Sequence, residues 1–274
     1  MSPEFKIFEV NSPETEEEFL HLPLKIYRDD PHWIRPLDQD IRDVFDPKKN
    51  KYFRHGEAVR WILQDAQGRS VGRVAAFINR HSAKKYEYPV GGMGFFECVN
   101  DRQAAFTLFD LCRDWLTERG MKAMDGPINF GERDRFWGLL VEGFSEPGYG
   151  VNYNPPYYKE LFEAYGFRNY FNQLIYHRTI EKGALQPAML RRAQRLLNNP
   201  DYSFGYLPKD RMQDLAEMVR TVYNKAWATF PDVPPMSPAQ ARTLYRTLRP
   251  ILDEKLLWFG YYKGEPISFY LMIP

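Results

Sequence analysis

The segment with the clearest chemical potential lies at residues 100–105, Asn-Asp-Arg-Gln-Ala-Ala, where an apolar strand over 94–99 runs into a helix over 101–119. The first turn of a helix carries amide N–H groups without intrahelical acceptors, and these bind anions. Asp101 is placed to cap that helix and would compete with an anion for the same donors. Arg102 is either a phosphate partner or a solvated side chain. Glu132, Arg133, Asp134 and Arg135 form a second polar cluster, in a loop that reads either as substrate contact or as solvated surface. The five histidines, at positions 21, 32, 55, 81 and 177, show no metal-ligand spacing with one another or with the cysteines, so no metal site is expected. The chain has no Gly-x-Ser-x-Gly, no phosphate-binding Walker loop and no dinucleotide fingerprint.

The elements that must position these groups follow from periodicity. A strand is expected over 5–10, then a helix capped by Ser12 with Pro13 in its first turn, then loop and short helix over 33–50. Residues 57–64 and 70–78 form a hairpin around Asp65-Ala-Gln-Gly68. Gly91-Gly92-Met93-Gly94 reads as a turn before the strand at 94–99. The helix over 101–119 ends at Gly120. A short strand over 122–125, a Gly- and Pro-rich loop, a helix over 156–165 stopped at Gly166, and a long strand over 167–179 complete the module. This order is that of a mixed α/β fold, a central sheet flanked by helices.

A connecting helix over 187–197 precedes a second, similar pattern: a strand over 202–207, a helix over 210–227, a loop over 231–235, a helix capped at Ser237, and a hairpin over 256–273. Tyr27 to Trp33 parallels Tyr223 to Trp227, and Arg60-Trp61 parallels Leu257-Trp258 in the same order. The expectation is a duplicated module, residues 1–182 and residues 183–274. The second copy reaches Pro274 just after its hairpin and is expected to be incomplete.

Several words across this chain resemble the GNAT superfamily of N-acetyltransferases, and within it a bacterial group with two tandem modules. They are Gly94-Phe-Phe-Glu-Cys98, Trp115-Leu-Thr-Glu-Arg-Gly120, Gly126-Pro-Ile-Asn129, Gly138-Leu-Leu-Val-Glu-Gly-Phe144 and, the most specific, Asn154-Pro-Pro-Tyr-Tyr-Lys-Glu-Leu-Phe-Glu-Ala-Tyr-Gly-Phe167. The resemblance implies a GNAT fold with a second, partial module, and an acetyl-CoA or longer acyl-CoA donor. In that family a Gln/Arg-x-x-Gly-x-Gly/Ala loop holds the pyrophosphate. Here Cys98, Val99, Asn100, Arg102, Gln103, Ala104 and Ala105 fall on it, with Gln103 at the first glycine position and Asn100 where Gln or Arg is usual. Asn154 falls beside the donor.

The resemblance also implies roles for acids and bases. Glu97 lies on the strand that borders the acyl-transfer site, where a carboxylate raised by burial takes a proton from an amine. The family's general acid is a helix tyrosine; Phe162 stands there, so Tyr157 and Tyr158, one turn upstream, either substitute for it or pack. Asn129, Glu132 and Arg133 face the acceptor side. The activity implied is acyl-CoA-dependent N-acyl transfer to a small-molecule or lipid amine. The rival readings are a non-catalytic GNAT-fold scaffold and a transferase using aminoacyl-tRNA.

Composition bounds these readings. Lys and Arg exceed Asp and Glu by one, 37 against 36, whereas a general nucleic-acid binder carries a basic excess. Aromatics make up 16% and supply either core fillers or a ring-lined groove. Two cysteines, no signal-peptide pattern and no apolar run near the 18 or so residues of a membrane span point to the cytoplasm.

Overall fold

The computed structural model describes residues 5–83, 87–133, 135–177, 179, 181, 183, 185–230 and 235–272. Asp134, most of the loop at 231–235 and Ile273, the last residue of the second hairpin, lie outside them. The chain divides into two compact units, residues 1–175 and 176–274.

The first unit contains β1 (Lys6–Glu9), α1 (Pro13–Ile26), α2 (Asp38–Phe45), β2 (Gly56–Gln64), β3 (Ser70–Asn79), the one-turn α3 (Arg80–Ala83), β4 (Val90–Cys98), α4 (Arg102–Glu118), β5 (Ala123–Asp125) and α5 (Tyr158–Tyr165). Its sheet runs β1-β2-β3-β4-β5, antiparallel until the last pair, where β5 lies parallel to β4. This is the expected mixed α/β fold. α1 starts as its sequence dictates: Ser12 and Thr15 form a reciprocal capping box and Pro13 occupies the first turn.

Two apolar layers sandwich the sheet. On one face, Val74, Ala76, Ile78, Met93, Phe96 and Cys98 pack against Ala104, Ala105, Leu108, Phe109 and Cys112 of α4 and against Tyr158, Leu161 and Phe162 of α5. On the other, Phe19 and Leu20 of α1 and Ile41 of α2 cluster with Ile62 and the half-buried Phe95.

Two expectations are corrected here. Residues 91–94 are not a turn but the first half of β4. Their glycines serve close approach: a side chain on Gly92 would enter the Phe77 ring, and one on Gly94 would strike the Ile128 carbonyl. Residues 167–179, expected as a long strand, carry no strand among the described positions. β propensity needs a paired neighbour to become a ladder, and β5, three residues long, leaves little to pair with.

The second unit contains α6 (Pro187–Leu197), β6 (Tyr202–Tyr206), α7 (Leu215–Trp227), α8 (Pro238–Leu248), β7 (Leu257–Tyr262) and β8 (Glu265–Leu271). The helix expected from residue 210 begins instead at Leu215, after a 3-10 turn over Lys209–Asp214. Its sheet, in the order β6-β7-β8, is antiparallel throughout. Among the described residues no helix is long and apolar enough to cross a membrane.

Candidate active site

The site is organised by an irregularity in β4. Arg73 faces Glu97 and Ala75 faces Gly94 across the β3–β4 ladder, so two residues, Phe95 and Phe96, oppose the single Val74. Phe95 takes the left-handed conformation, φ 52°, that this bulge requires. Its consequence is a change of face. Met93 packs on the α4 side, whereas Phe95, two residues on, packs on the α1 side. Glu97 follows Phe95 and lands opposite Arg73.

Glu97 has a side chain only 12% exposed, and Arg73 one of 4%. Arg73 Nη2 lies 3.7 Å from Glu97 Oε1. Its Nη1 donates to the Phe19 carbonyl, and the guanidinium sits 4.6 Å from the centre of the Phe19 ring. Arg73 Nε has no hydrogen-bond partner among the described residues. Glu97 Oε2 accepts two hydroxyls, each at 2.8 Å: Tyr27, at the end of α1, and Tyr158, in the first turn of α5. Burial pushes the Glu97 carboxyl above the usual carboxylate range, against the pull of Arg73 and of the two hydroxyls. Burial, reinforced by Glu97, pushes both tyrosines up as well, so they remain protonated donors.

A pocket of about 60 Å³ opens onto Glu97, enough for a few water molecules or a small polar group. Leu20, Trp33, Ile34, Phe95, Phe136 and Leu139 supply the apolar part of its walls. Arg35 and Asp38, joined by hydrogen bonds of 2.8–2.9 Å, supply a second ion pair in its lining. Trp33 stacks on Tyr27 with ring centres 4.7 Å apart.

The structure brings Glu97, Cys98, Tyr157 and Tyr158 together. Tyr158 spans two atoms of β4, donating to Glu97 while accepting the Cys98 N–H at 2.8 Å. Tyr157 donates to the Cys98 carbonyl at 2.7 Å. Both tyrosines pack in the core and also bind polar groups, so neither is only a filler. The Cys98 thiol is buried and pushed up by that burial, which keeps it protonated and unreactive. Phe162 is 3% exposed and packs between Phe96 and Phe109.

At the start of α4, Asp101 accepts the Ala104 amide at 2.8 Å, as an N-cap does. The amides of Arg102 and Gln103, ahead of it, project along the helix axis from an exposed turn. Val99 and Asn100 are exposed too. The Arg102 guanidinium rests 5.0 Å from the Phe106 ring centre. Ala104 and Ala105 are wholly buried, so they contribute closeness to β3 and β4 rather than a surface.

Asn154 also lines the pocket, and three other candidates are held elsewhere. Asn154 exchanges both hydrogen bonds with the Leu140 backbone and reaches the Pro155 carbonyl, which commits its amide to the loop. Asn129 is 6% exposed, and its Oδ1 has no hydrogen-bond partner among the described residues. Glu132 pairs with Lys51 at the surface, and Arg133 lies over the Trp137 and Phe171 rings. None of Asn129, Glu132 and Arg133 lines the pocket.

Sequence reasoning did not single out Arg73 as a site residue, and it took Tyr27 only as part of a repeat. A signal was present: Arg73 and Glu97 are charges set inside the apolar strand words Val71-Gly-Arg-Val74 and Gly94-Phe-Phe-Glu-Cys98. Two opposite charges in buried strands ask to be paired.

No family profile matches the chain. Over 273 residues, 99% of its length, it is 28% identical to a bacterial ceramide synthase of Caulobacter vibrioides, of which it covers 70%. It is 23% identical over 257 residues to Protein YghO of Escherichia coli, covering 93% of this chain and 65% of that one. Among solved structures it is similar to the GCN5-related glucosamine N-acetyltransferase region of a fungal multi-domain β-N-acetylglucosaminidase, with a TM-score of 0.49 and 12% identity, over 98% of this chain and 28% of that one. It is also similar to a tandem GNAT protein from the clavulanic acid biosynthesis pathway, with a TM-score of 0.48 and 14% identity, over 97% and 73% of the two chains.

Proposed function

We propose that the chain is an acyl-CoA-dependent N-acyltransferase that moves an acetyl or longer acyl group onto a small-molecule or lipid amine. Glu97 carries the reading: a buried carboxylate of raised proton affinity, at a pocket of mixed polar and apolar lining. Glu97 takes a proton from the amine, an N–H bond giving way to an O–H bond, so that the nitrogen lone pair is free to attack. The acyl thioester supplies the activated carbonyl; the new C–N bond forms as C–S breaks, and the proton that the nitrogen gives up on becoming an amide leaves with the sulfur. Tyr158 holds a proton on the far side of the same carboxylate. Making a ceramide joins an acyl group to the nitrogen of a long-chain amine, so the likeness to a ceramide synthase supports amide formation as the reaction class.

The residues present fit a CoA thioester at its phosphate end, where the Arg102 and Gln103 amides and the Arg102 guanidinium would hold the pyrophosphate. At β4 the fit requires exchange, because the Tyr157 and Tyr158 hydroxyls occupy the Cys98 carbonyl and N–H. That occupation is the one observation that favours the rival, a non-catalytic GNAT-fold scaffold. Calorimetry with acetyl-, octanoyl- and palmitoyl-CoA separates them, together with mass spectrometry of amine products. Binding and turnover by the native chain, with turnover lowered about 100-fold or more in Glu97→Gln, is the expected result. Absence of binding by all three thioesters overturns it.

We further propose that the chain comprises two GNAT-like modules, 1–182 and 183–274. The support is that β6, α7, α8, β7 and β8 repeat the order of β1, α1, α2, β2 and β3, with sheet order β6-β7-β8 matching β1-β2-β3. A protease-resistant fragment ending near residue 182 is expected; first cleavage within β2 to α5 would refute the division.

A further inference from the structure

We propose that Tyr27 is a positioning residue for the base: together with Tyr158 it ties up Oε2 of Glu97, leaving Oε1 as the oxygen that exchanges the proton. The inference deepens the acyltransferase reading and rests on it for its catalytic meaning.

A carboxylate can rotate about its last torsion and offer either oxygen, and a proton acceptor that rotates loses orientation at the reacting centre. Glu97 is not free to do so. Two hydroxyls from different elements converge on Oε2 at 2.8 Å, one from the end of α1 and one from the start of α5. Among the described residues Oε1 receives no hydroxyl; its neighbour is the Arg73 guanidinium, at 3.7 Å a charge rather than a hydrogen bond.

Tyr27 is itself immobilised. It is 2% exposed, its ring is stacked on Trp33, and its backbone N–H closes the last turn of α1 on the Pro23 carbonyl. Its hydroxyl oxygen lies 3.3 Å from the Tyr153 carbonyl, too long to rival the Glu97 bond. Trp33 and Tyr153 line the same pocket. Tyr27 therefore connects the carboxylate to the wall where an acceptor would lie, whereas Tyr158 connects it to β4.

The charged and titratable groups around Glu97 are few. Arg73 faces it from β3, Tyr27 from the end of α1, and Tyr158 from α5; Tyr157 and Cys98 are its next neighbours, and Asp38 of α2 acts on Arg73. Of these, Arg73 and the two hydroxyls on Oε2 favour the ionised form. Removing one such hydroxyl should raise the pH at which Glu97 ionises by roughly one to two units, since a hydrogen bond to a charged group is worth about that much.

The test reads the carboxyl directly. Infrared difference titration of the full chain without substrate follows the protonated-carboxyl band that disappears in Glu97→Gln. In Tyr27→Phe this band should persist to a pH one to two units higher. In Tyr153→Phe, which keeps the Tyr27 hydroxyl, it should not move. Should Tyr27→Phe fold poorly, 3-fluorotyrosine at Tyr27, a stronger donor of nearly the same shape, should move the band to lower pH. An unmoved titration in folded Tyr27→Phe, or a fluorotyrosine shift in the wrong sense, overturns the proposal. If no variant or native chain transfers an acyl group while the titration shifts as expected, the acyltransferase reading fails and the positioning of Glu97 stands.

Discussion

Arg73→Met removes the cation that, among the described residues, lies beside Glu97 and keeps an unbranched apolar stem, so its cost reports the buried pair. Removing one member of a buried ion pair costs roughly 3–5 kcal/mol, because the other charge is left without compensation. The geometry places this pair near the lower end, about 3 kcal/mol at pH 8. The separation of 3.7 Å exceeds hydrogen-bond distance, and Oε2 keeps its two hydroxyl donors when the guanidinium is gone. The sign of the pH dependence follows from the direction of the Glu97 shift. A carboxyl raised above its unfolded value favours the fold fully below the ordinary carboxylate range, and that contribution is lost as pH rises through the folded value. Arg73→Met raises the folded value further, so the variant loses more stability than the native chain as pH climbs. The cost should therefore shrink to about 1 kcal/mol at pH 5, what remains being the donor to the Phe19 carbonyl and the contact with the Phe19 ring. Urea melts followed by far-ultraviolet circular dichroism at pH 5 and pH 8 measure both numbers. An equal cost at the two pH values would show that Arg73 contributes packing and not charge, and the account of Glu97 would have to be abandoned.

Asp101→Ala deletes the cap on α4 and should destabilise the first unit by about 1 kcal/mol. It also frees the Ala104 amide and removes a negative charge from the helix start, so palmitoyl-CoA should bind several-fold more tightly in calorimetry; weaker binding would mean that the donor's phosphates do not lie there. Asn154→Ala forfeits two hydrogen bonds to the Leu140 backbone and one to the Pro155 carbonyl and should cost about 2–3 kcal/mol in the same urea melts. A loss below about 0.5 kcal/mol would imply that water takes over those groups, and the loop would not depend on this side chain.

The parts of this fold that announced themselves were those whose signals are local. Ser12 before Pro13, and Asp101 at the head of a 3.6-residue apolar period, fix two helix starts through caps, and the structure has both caps in place. Asp65-Ala-Gln-Gly68 marks a hairpin because Gly68 takes φ 75° there. Strands that depend on a neighbour were misread. Glycine punctuates turns in most chains, so 91–94 looked like a break; here the absent side chains let Phe77 and the Ile128 carbonyl come close. At 167–179 propensity favours a strand, but propensity says nothing about whether an edge exists to receive it.

The site was half visible for a related reason. Residues on one side of a strand are found by counting in twos, and counting in twos from Met93 puts Phe95 and Glu97 on the α4 side, inside the apolar layer. The bulge adds one residue and reverses that parity, so both face α1, where Arg73, Tyr27 and the pocket lie. Nothing in Gly94-Phe-Phe-Glu-Cys98 records the extra residue, since phenylalanine is an ordinary strand former and has no preference for φ above zero. The position of Glu97 is therefore a property of the β3–β4 ladder and not of the β4 sequence. A single deletion within Phe95–Phe96 should close the bulge and leave Glu97 opposite Arg73, whereas the native sequence paired without the bulge would bring Glu97 to the face occupied by Phe109 and Phe162, a layer with no cation among its packed residues. The bulge and the charge pair thus require each other: the extra residue delivers the carboxylate to Arg73, and the carboxylate makes the regular register, with its uncompensated buried charge, the costlier alternative.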